Sequence, residues 1–279
     1  STKVYIKKFL DFEKRKRSNL IEIHNRPEYI DYIYKINKNI ILYFHNDPLS
    51  MRYSKKINER IDILNKTKKI IFNSKWTKKQ FTKDLPKSIY KNKLLIINQS
   101  AKKQKVNLKD KENIIIFVGR LNKSKGYDIF CKAVANVLDR FPKWKSIIIG
   151  DEPREKYFIN NDKFKLLGFQ KHISVLKWFK KSSIAVVCSR NIEPFGRTAL
   201  EASSCGCAVI ISNNGGLPEA SPHAIKLKDL SSKNLEKNLI QLIKNKKKLF
   251  NLQRTIYNKF ELTNSLISKK IDLYRDKIL

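Results

Sequence analysis

With 279 residues the chain is long enough for one large domain or two smaller ones, each with an ample core. Its 60 basic and 25 acidic residues leave a formal charge of +35, which favours anionic partners and disfavours cationic ones. No stretch has the length and apolarity of a membrane span. Four cysteines without a Cys-x-x-Cys pair, beside four histidines, point to structural thiols in a reducing cytosol rather than to a zinc site or a disulfide framework. Leu20–His24 and Ile40–Phe44 are expected as buried strands, with a short helix from Glu28 to Ile36 between them. Lys55–Lys66 is expected as a helix with Ile57, Ile61 and Leu64 on one face. Lys69–Asn73 is a further strand, and Ser74 is placed to cap a helix from Lys75 to Phe81. Leu94–Ile97 closes this half, and the polar, lysine-rich segment Asn98–Glu112 has the composition of a linker.

The second half opens with the strand Ile114–Val118. A helix follows from Tyr127 to Phe141, striped by Ile129, Phe130, Ala133, Val134, Val137, Leu138 and Phe141. Ile147–Ile149 and Phe164–Leu167 are expected as strands ended by Gly150 and Gly168, and Ser174–Lys181 as a short helix. Ile184–Cys188 and Cys205–Ile211 are expected as strands flanking a tight loop and a helix. Basic helices are expected from Asn234 to Lys246 and from Thr263 to Ile278. Strands alternating with helices at this spacing predict an α/β fold with parallel sheets.

The most informative stretch is Glu193-Pro-Phe-Gly-Arg-Thr-Ala-Leu-Glu201. Gly196 allows close backbone approach, and the free N–H groups of Gly196, Arg197 and Thr198 form an anion site at a helix N-terminus. Glu193 stands in the loop before that helix, and Glu201 in its early turns can lean back toward the same ligand. Each carboxylate can accept two hydrogen bonds from a diol. The constellation suits a ligand with phosphates between two polyol ends, which describes a nucleotide sugar. Gly119, Arg120, Lys125 and Gly126 flank a strand-to-helix turn, where two cations can neutralise a diphosphate. Lys123 is expected to be only solvated.

These residues resemble those of retaining glycosyltransferases with the GT-B fold, in particular glycosyltransferase family 4. Glu193–Glu201 is similar to the family's Glu-x7-Glu signature. Phe117–Gly126 is similar to its phosphate-binding loop, Ile210–Glu219 to its Gly-Gly-x-Pro-Glu turn, and Tyr43-Phe-His-Asn-Asp47 to its N-terminal histidine segment. The resemblance implies two Rossmann-like domains facing a cleft. It implies boundaries at 1–105 for the acceptor side, 106–260 for the nucleotide-sugar side and 261–279 for a helix returning to the first domain. All eight glycines lie at or beyond Gly119, and no glycine-rich loop follows a first strand, so the N-terminal domain is expected to be incomplete.

By resemblance, Glu193 contacts the donor sugar, Glu201 the ribose, and Arg120 with Lys125 the leaving diphosphate. His45 approaches the transferred sugar, and the loop at Gly168 and Phe169 faces the base. His24, Asn25 and Arg26 are equally well read as acceptor-cleft residues or as an ordinary strand end. The side chains of His172 and Arg197 are expected to be solvated, His223 to have no role, and the Asn214–Gly216 turn with Glu219 to be structural, supporting the helix of Glu201. The implied activity is transfer from a nucleotide-diphosphate sugar, by family frequency a UDP-sugar, to a glycan or glycolipid such as lipopolysaccharide. Transfer would proceed with retention and with no metal or other cofactor. The expected location is cytoplasmic, with peripheral contact at the inner membrane face. Two other readings stay open: a donor-binding module without transfer, and a basic protein that binds membranes or nucleic acid. Lysine supplies 48 of the basic residues and arginine 12, so lipid attraction and mere composition weigh equally. Nucleic acid ranks third, because no recognisable module for it is present.

Overall fold

The structure, a computed structural model, describes residues 2–90, 92–153 and 162–278. It divides into two compact units, one of Ser1–Gln99 with Ser265–Leu279, the other of Ser100–Asn264.

Unit 1 carries a parallel four-stranded sheet in the order β1-β2-β3-β4, formed by β1 (Ile21–His24), β2 (Ile40–Phe44), β3 (Lys69–Phe72) and β4 (Leu94–Ile96). Every residue of β2 is buried, which explains its unbroken apolar run: a central parallel strand is covered on both faces. One face packs Ile23, Leu42, Phe44, Ile70 and Phe72 against helices α1 (Thr2–Arg15), α2 (Ile30–Tyr34), α3 (Ile57–Lys66) and α4 (Lys75–Thr82). Phe44, Phe72 and Phe81 form a fully buried aromatic trio with ring centroids 5.3–5.7 Å apart. Truncating one of them to alanine would cost about 3–5 kcal/mol. Ser74 caps α4 by accepting from the Thr77 amide at 3.0 Å, as its position predicts.

Helix α1 has no counterpart among the expected elements. Ile6 points inward, and the buried Glu13 carboxylate accepts hydrogen bonds from the Ser18 amide and hydroxyl and from Asn37. The expected helix over 28–36 is a Pro27–Tyr29 turn followed by the five-residue α2.

Unit 2 carries a parallel six-stranded sheet. Its strands are β5 (Glu112–Val118), β6 (Lys145–Ile149), β7 (Phe164–Leu166), β8 (Ser182–Val187), β9 (Ala208–Ser212) and β10 (Ile225–Leu227), in the order β10-β9-β8-β5-β6-β7. Side-chain alternation splits its core in two. Ile115, Phe117, Val186 and Ile210 face α5 (Tyr127–Arg140) and, later in the chain, Leu235, Leu239 and Leu242. Ile114, Ile116, Ala185 and Val209 face α6 (His172–Lys181) and α7 (Arg197–Ser204). The short α8 (Leu217–Ala220) follows β9. The leucines Leu235–Leu242 lie on α9 (Ser232–Lys244), which is separated from α10 (Lys246–Asn258) by Asn245. The Asn245 side chain accepts from the Lys248 amide at 2.8 Å and so restarts the helix. The chain returns beside its own crossing, where the Ala101 amide donates to the Leu262 carbonyl at 3.0 Å. It ends in α11 (Asn264–Arg275), whose Arg275 grips Glu22 of β1 through two hydrogen bonds of 3.0 and 2.6 Å.

All four cysteines are buried in unit 2. Burial pushes the thiols of Cys131, Cys188 and Cys205 up to about 12 and that of Cys207 upward as well.

Candidate active site

The order of the unit 2 sheet fixes where a ligand can enter. From β5 the chain moves outward to β6 and β7, then returns to the other side of β5 as β8. Loops leaving β5 and β8 therefore diverge and leave a crevice at the carboxyl ends of these strands. A cavity of about 50 Å³ lies there, lined among others by Gly119, Lys125, Glu193, Gly196, Arg197 and Thr198.

Each loop has its own scaffold. After β5, the Asn122 side chain accepts from the Lys125 amide at 3.1 Å and the Ser124 hydroxyl at 2.8 Å, folding Lys123–Lys125 into a single turn. After β8, the amides of Arg190 and Asn191 donate to the Ser124 carbonyl at 2.9 and 3.0 Å. The Arg190 guanidinium grips Asp128 at 2.5 and 2.7 Å, which holds Asp128 below its ordinary carboxyl value. The two loops are thus tied together, and the Lys125 ammonium meets the Glu193 carboxylate in a direct ion pair. These two residues stand 68 positions apart in the chain.

The Asn214–Gly216 turn supports Glu193, and the α8 that follows it packs on α7, the helix of Glu201. The Gly216 amide donates to the Glu193 carbonyl at 2.7 Å. A Cβ on Gly215 would lie 2.2 Å from that same carbonyl oxygen, and one on Gly216 would lie 2.3 Å from the Pro194 carbonyl oxygen. Only glycines permit this approach. Gly196 is the N-cap residue of α7, so the Arg197 and Thr198 amides head the helix at the cavity wall. Glu201, one turn into α7, is buried. Its Oε1 accepts from Arg197 at 3.0 Å and lies 3.2 Å from His172 Nε2. Arg197 and His172 are largely exposed, as expected, but each also reaches this buried carboxylate, which recruits nearby donors.

The remaining sequence-selected residues of unit 2 lie at the same end of the sheet. The Gly119 amide donates to the Ile149 carbonyl, and the Gly150 amide to the Gly168 carbonyl, at 3.0 and 2.9 Å. A Cβ on Gly150 would fall 1.9 Å from the Gly119 carbonyl oxygen, which requires glycine there. Arg120 is exposed and makes no ion pair among the described residues; Phe169 is 76% exposed. Sequence reasoning missed Asn122, Asp128 and Arg190. The Asn-x-x-Lys spacing of an Asx turn could have suggested the first.

In unit 1, His45 follows β2 and His24 ends β1. His24 Nδ1 and His45 Nε2 are 2.9 Å apart, so one ring donates and the other accepts. The His24 ring stacks on Tyr43 with centroids 4.3 Å apart, and the Tyr43 hydroxyl donates to Glu22 at 2.9 Å. The His45 amide donates to Asn25 Oδ1 at 2.7 Å, and its Nδ1 is buried with no hydrogen-bond partner among the described residues. Burial, followed by the neighbouring His24, pushes His45 down to about 4. Burial also lowers His24. For Glu22 burial acts upward, but hydrogen bonds from Arg275 and Tyr43 outweigh it and leave the carboxyl below its ordinary value. Among the described residues no three His, Cys, Asp or Glu side chains cluster as metal ligands, and no helix is long and apolar enough to cross a membrane.

With this geometry in hand, known proteins place the chain. It is 32% identical over 130 residues to an uncharacterised glycosyltransferase of Methanocaldococcus jannaschii, covering 44% of this chain and 33% of that protein. It is 33% identical over 116 residues to the phosphatidylinositol N-acetylglucosaminyltransferase gpi3 subunit of Schizosaccharomyces pombe, covering 39% and 25%. The chain therefore spans a third or less of the length of these two relatives. Among solved structures it superposes on Anabaena HepE in complex with UDP with a TM-score of 0.79 at 16% identity, over 98% of this chain and 82% of HepE. Two parallel α/β units and this likeness make the fold GT-B. Residues 98–259 match the family described as glycosyl transferases group 1, and the chain belongs to that family.

Proposed function

We propose that the chain transfers a sugar from a UDP-sugar to a hydroxyl of a glycan or glycolipid such as lipopolysaccharide, with retention and without a metal ion. The observation that carries this reading is the meeting of Lys125, Glu193 and the α7 N-terminus in one crevice at the switch point of a parallel sheet. Anabaena HepE in its complexes with UDP and with UDP-glucose supports uridine as the base, and the lipid substrate named for the fission-yeast relative supports a lipid-linked acceptor.

Lys125, Arg120 and the amides of Arg197 and Thr198 offer positive charge where the diphosphate departs. Such preorganised donors stabilise a leaving group without a cation. A donor sugar hydroxyl would compete with Lys125 for Glu193, and the ribose diol would meet Glu201, whose two protein contacts both fall on Oε1. The acceptor oxygen then bonds to the anomeric carbon on the face from which the diphosphate leaves. The bond between that carbon and the phosphate oxygen breaks, and the acceptor proton passes to the departing phosphate. His45, held neutral by burial, is proposed as a neutral imidazole that hydrogen-bonds a sugar hydroxyl. The proposed location is cytoplasmic, with peripheral contact at the inner membrane face.

Calorimetry with UDP and a transfer or hydrolysis assay with UDP-glucose, each with and without EDTA, test this reading. Binding and turnover insensitive to EDTA, both abolished by Lys125→Ala and by Glu193→Ala, are expected. Wild-type behaviour of both variants rejects the site, and UDP binding without turnover reduces the chain to a donor-binding module.

A further inference from the structure

Unit 2 has a second concavity, at the opposite end of its sheet. It is a groove of about 670 Å³ beside the amino ends of β5, β6 and β8, a volume within the usual range for ligand sites. Phe141, Trp144, Leu249 and Phe250 contribute apolar surface, and Lys109, Lys111, Arg140, Lys143 and Lys246 contribute charge. Among the described residues no carboxylate lines it.

The five cations are not equivalent. Lys111 donates to the carbonyls of Phe179, Lys180 and Ser182 at 3.0, 3.2 and 2.8 Å, so it is engaged at the carboxyl end of α6. Arg140 lies 3.6 Å from Glu236. Lys109, Lys143 and Lys246 are exposed and have no acidic partner among the described residues. Lys246 also opens α10, followed at once by Lys247 and Lys248, with no acidic residue in the first turn. A helix N-terminus is the positive end of the dipole and favours acids, so three lysines there repel both the helix end and one another. An anion in the groove would relieve both repulsions.

The chemistry narrows the anion. Lysines dominate, and a lysine meets phosphate as a point charge rather than as a bidentate fork. Single-stranded nucleic acid needs exposed aromatic faces on which bases stack. Here Trp144 is 8% exposed, and Phe141 and Phe250 are half-buried against the core. These rings can cover the glycerol end of a lipid but offer no stacking platform.

We propose that this groove seats the phosphate headgroup of an anionic membrane lipid and so holds unit 2 on a bilayer surface. The proposal does not rest on the donor reading, since groove and cavity are separated by the length of β5, roughly 20 Å. The test is sedimentation of the whole chain with phosphatidylcholine vesicles, with and without phosphatidylglycerol. Binding only to the vesicles containing phosphatidylglycerol is expected. The double variant Lys143→Glu/Lys246→Glu should weaken that binding by roughly 30-fold or more, with UDP affinity unchanged. The charge-matched control Lys226→Glu/Lys237→Glu, two exposed lysines outside the groove, should retain binding within about twofold of wild type. Equal loss in both double variants assigns the binding to net charge and overturns the groove. Absence of sedimentation with either vesicle, while calorimetry shows inorganic phosphate bound by wild type and not by the groove variant, assigns the groove to free phosphate. Tighter binding of a single-stranded oligonucleotide, lost in the groove variant, assigns it to nucleic acid. Either of these outcomes overturns the proposal.

Discussion

The carboxyl ends of the two sheets solve the problem of burying polar groups in opposite ways. In unit 2, opposite charges meet: Lys125 with Glu193, and Arg197 with Glu201. In unit 1, charge is suppressed: His45 and His24 are pushed toward their neutral forms, and the nearby carboxylate Glu22 is occupied by Arg275 and Tyr43. An ion pair can be opened by a ligand that replaces one partner, whereas a neutral imidazole pair offers only hydrogen bonds. The difference suits a charged ligand at the unit 2 end and an uncharged, hydroxyl-rich one at the unit 1 end.

The comparison breaks first at Lys125. If its ammonium acts on a diphosphate, Lys125→Ala should lower transfer from UDP-glucose by about 100-fold or more in steady-state assays. A loss under tenfold would reduce the pair to a structural one. The next largest effect is the pH response of unit 1. His45 is near 4 when folded and 6.5 when unfolded, so the folded state holds fewer protons. Its stability is then complete above pH 6.5 and lost as pH falls toward 4, by about 2–3 kcal/mol. Guanidinium unfolding followed at pH 7.5, 5.5 and 4.5 should show that decline, and His45→Gln should flatten it. A wild-type curve as flat as the variant's would mean that burial does not hold the ring neutral.

A smaller effect is expected at Arg275. Arg275→Met should cost about 1–2 kcal/mol near neutral pH by leaving Glu22 without its charged donor. The Glu22 carboxyl is depressed below 4.5, so its stabilisation is present above that value and fades as pH falls further. The gap between variant and wild type should therefore close in acid. The smallest structural effect belongs to Arg120→Ala, which should leave thermal stability within about 0.5 kcal/mol of wild type. A fall in transfer with no change in melting would then mark Arg120 as a donor contact.

The sequence was legible where burial is two-sided. Ile40–Phe44, Ile114–Val118 and Ile147–Ile149 are unbroken apolar runs because each strand lies between two helical layers. Helix α1 was hidden because Val4, Tyr5 and Phe12 are exposed and blur its stripe. The helix expected over Asn234–Lys246 corresponds to α9, whereas α10 was not expected, because it opens on three lysines with no acidic residue to signal a start. Strand β10 has only three residues, too few to show a period. Glu193, Gly196 and Glu201 could be singled out because they share one loop and helix. The ties of Lys125 to Glu193 and of His172 to Glu201 could not, because long-range pairing leaves no local signature.

The placement of the thiols has a practical consequence. Cys131, Cys188, Cys205 and Cys207 all sit in one unit, protonated and shielded from solvent. Alkylating reagents should therefore leave the native chain untouched and modify it only as unit 2 opens. With no cysteine in the other unit, iodoacetamide incorporation becomes a clock for one half of the molecule alone. UDP should slow that clock if it binds the crevice, and anionic vesicles should slow it too if the groove holds them.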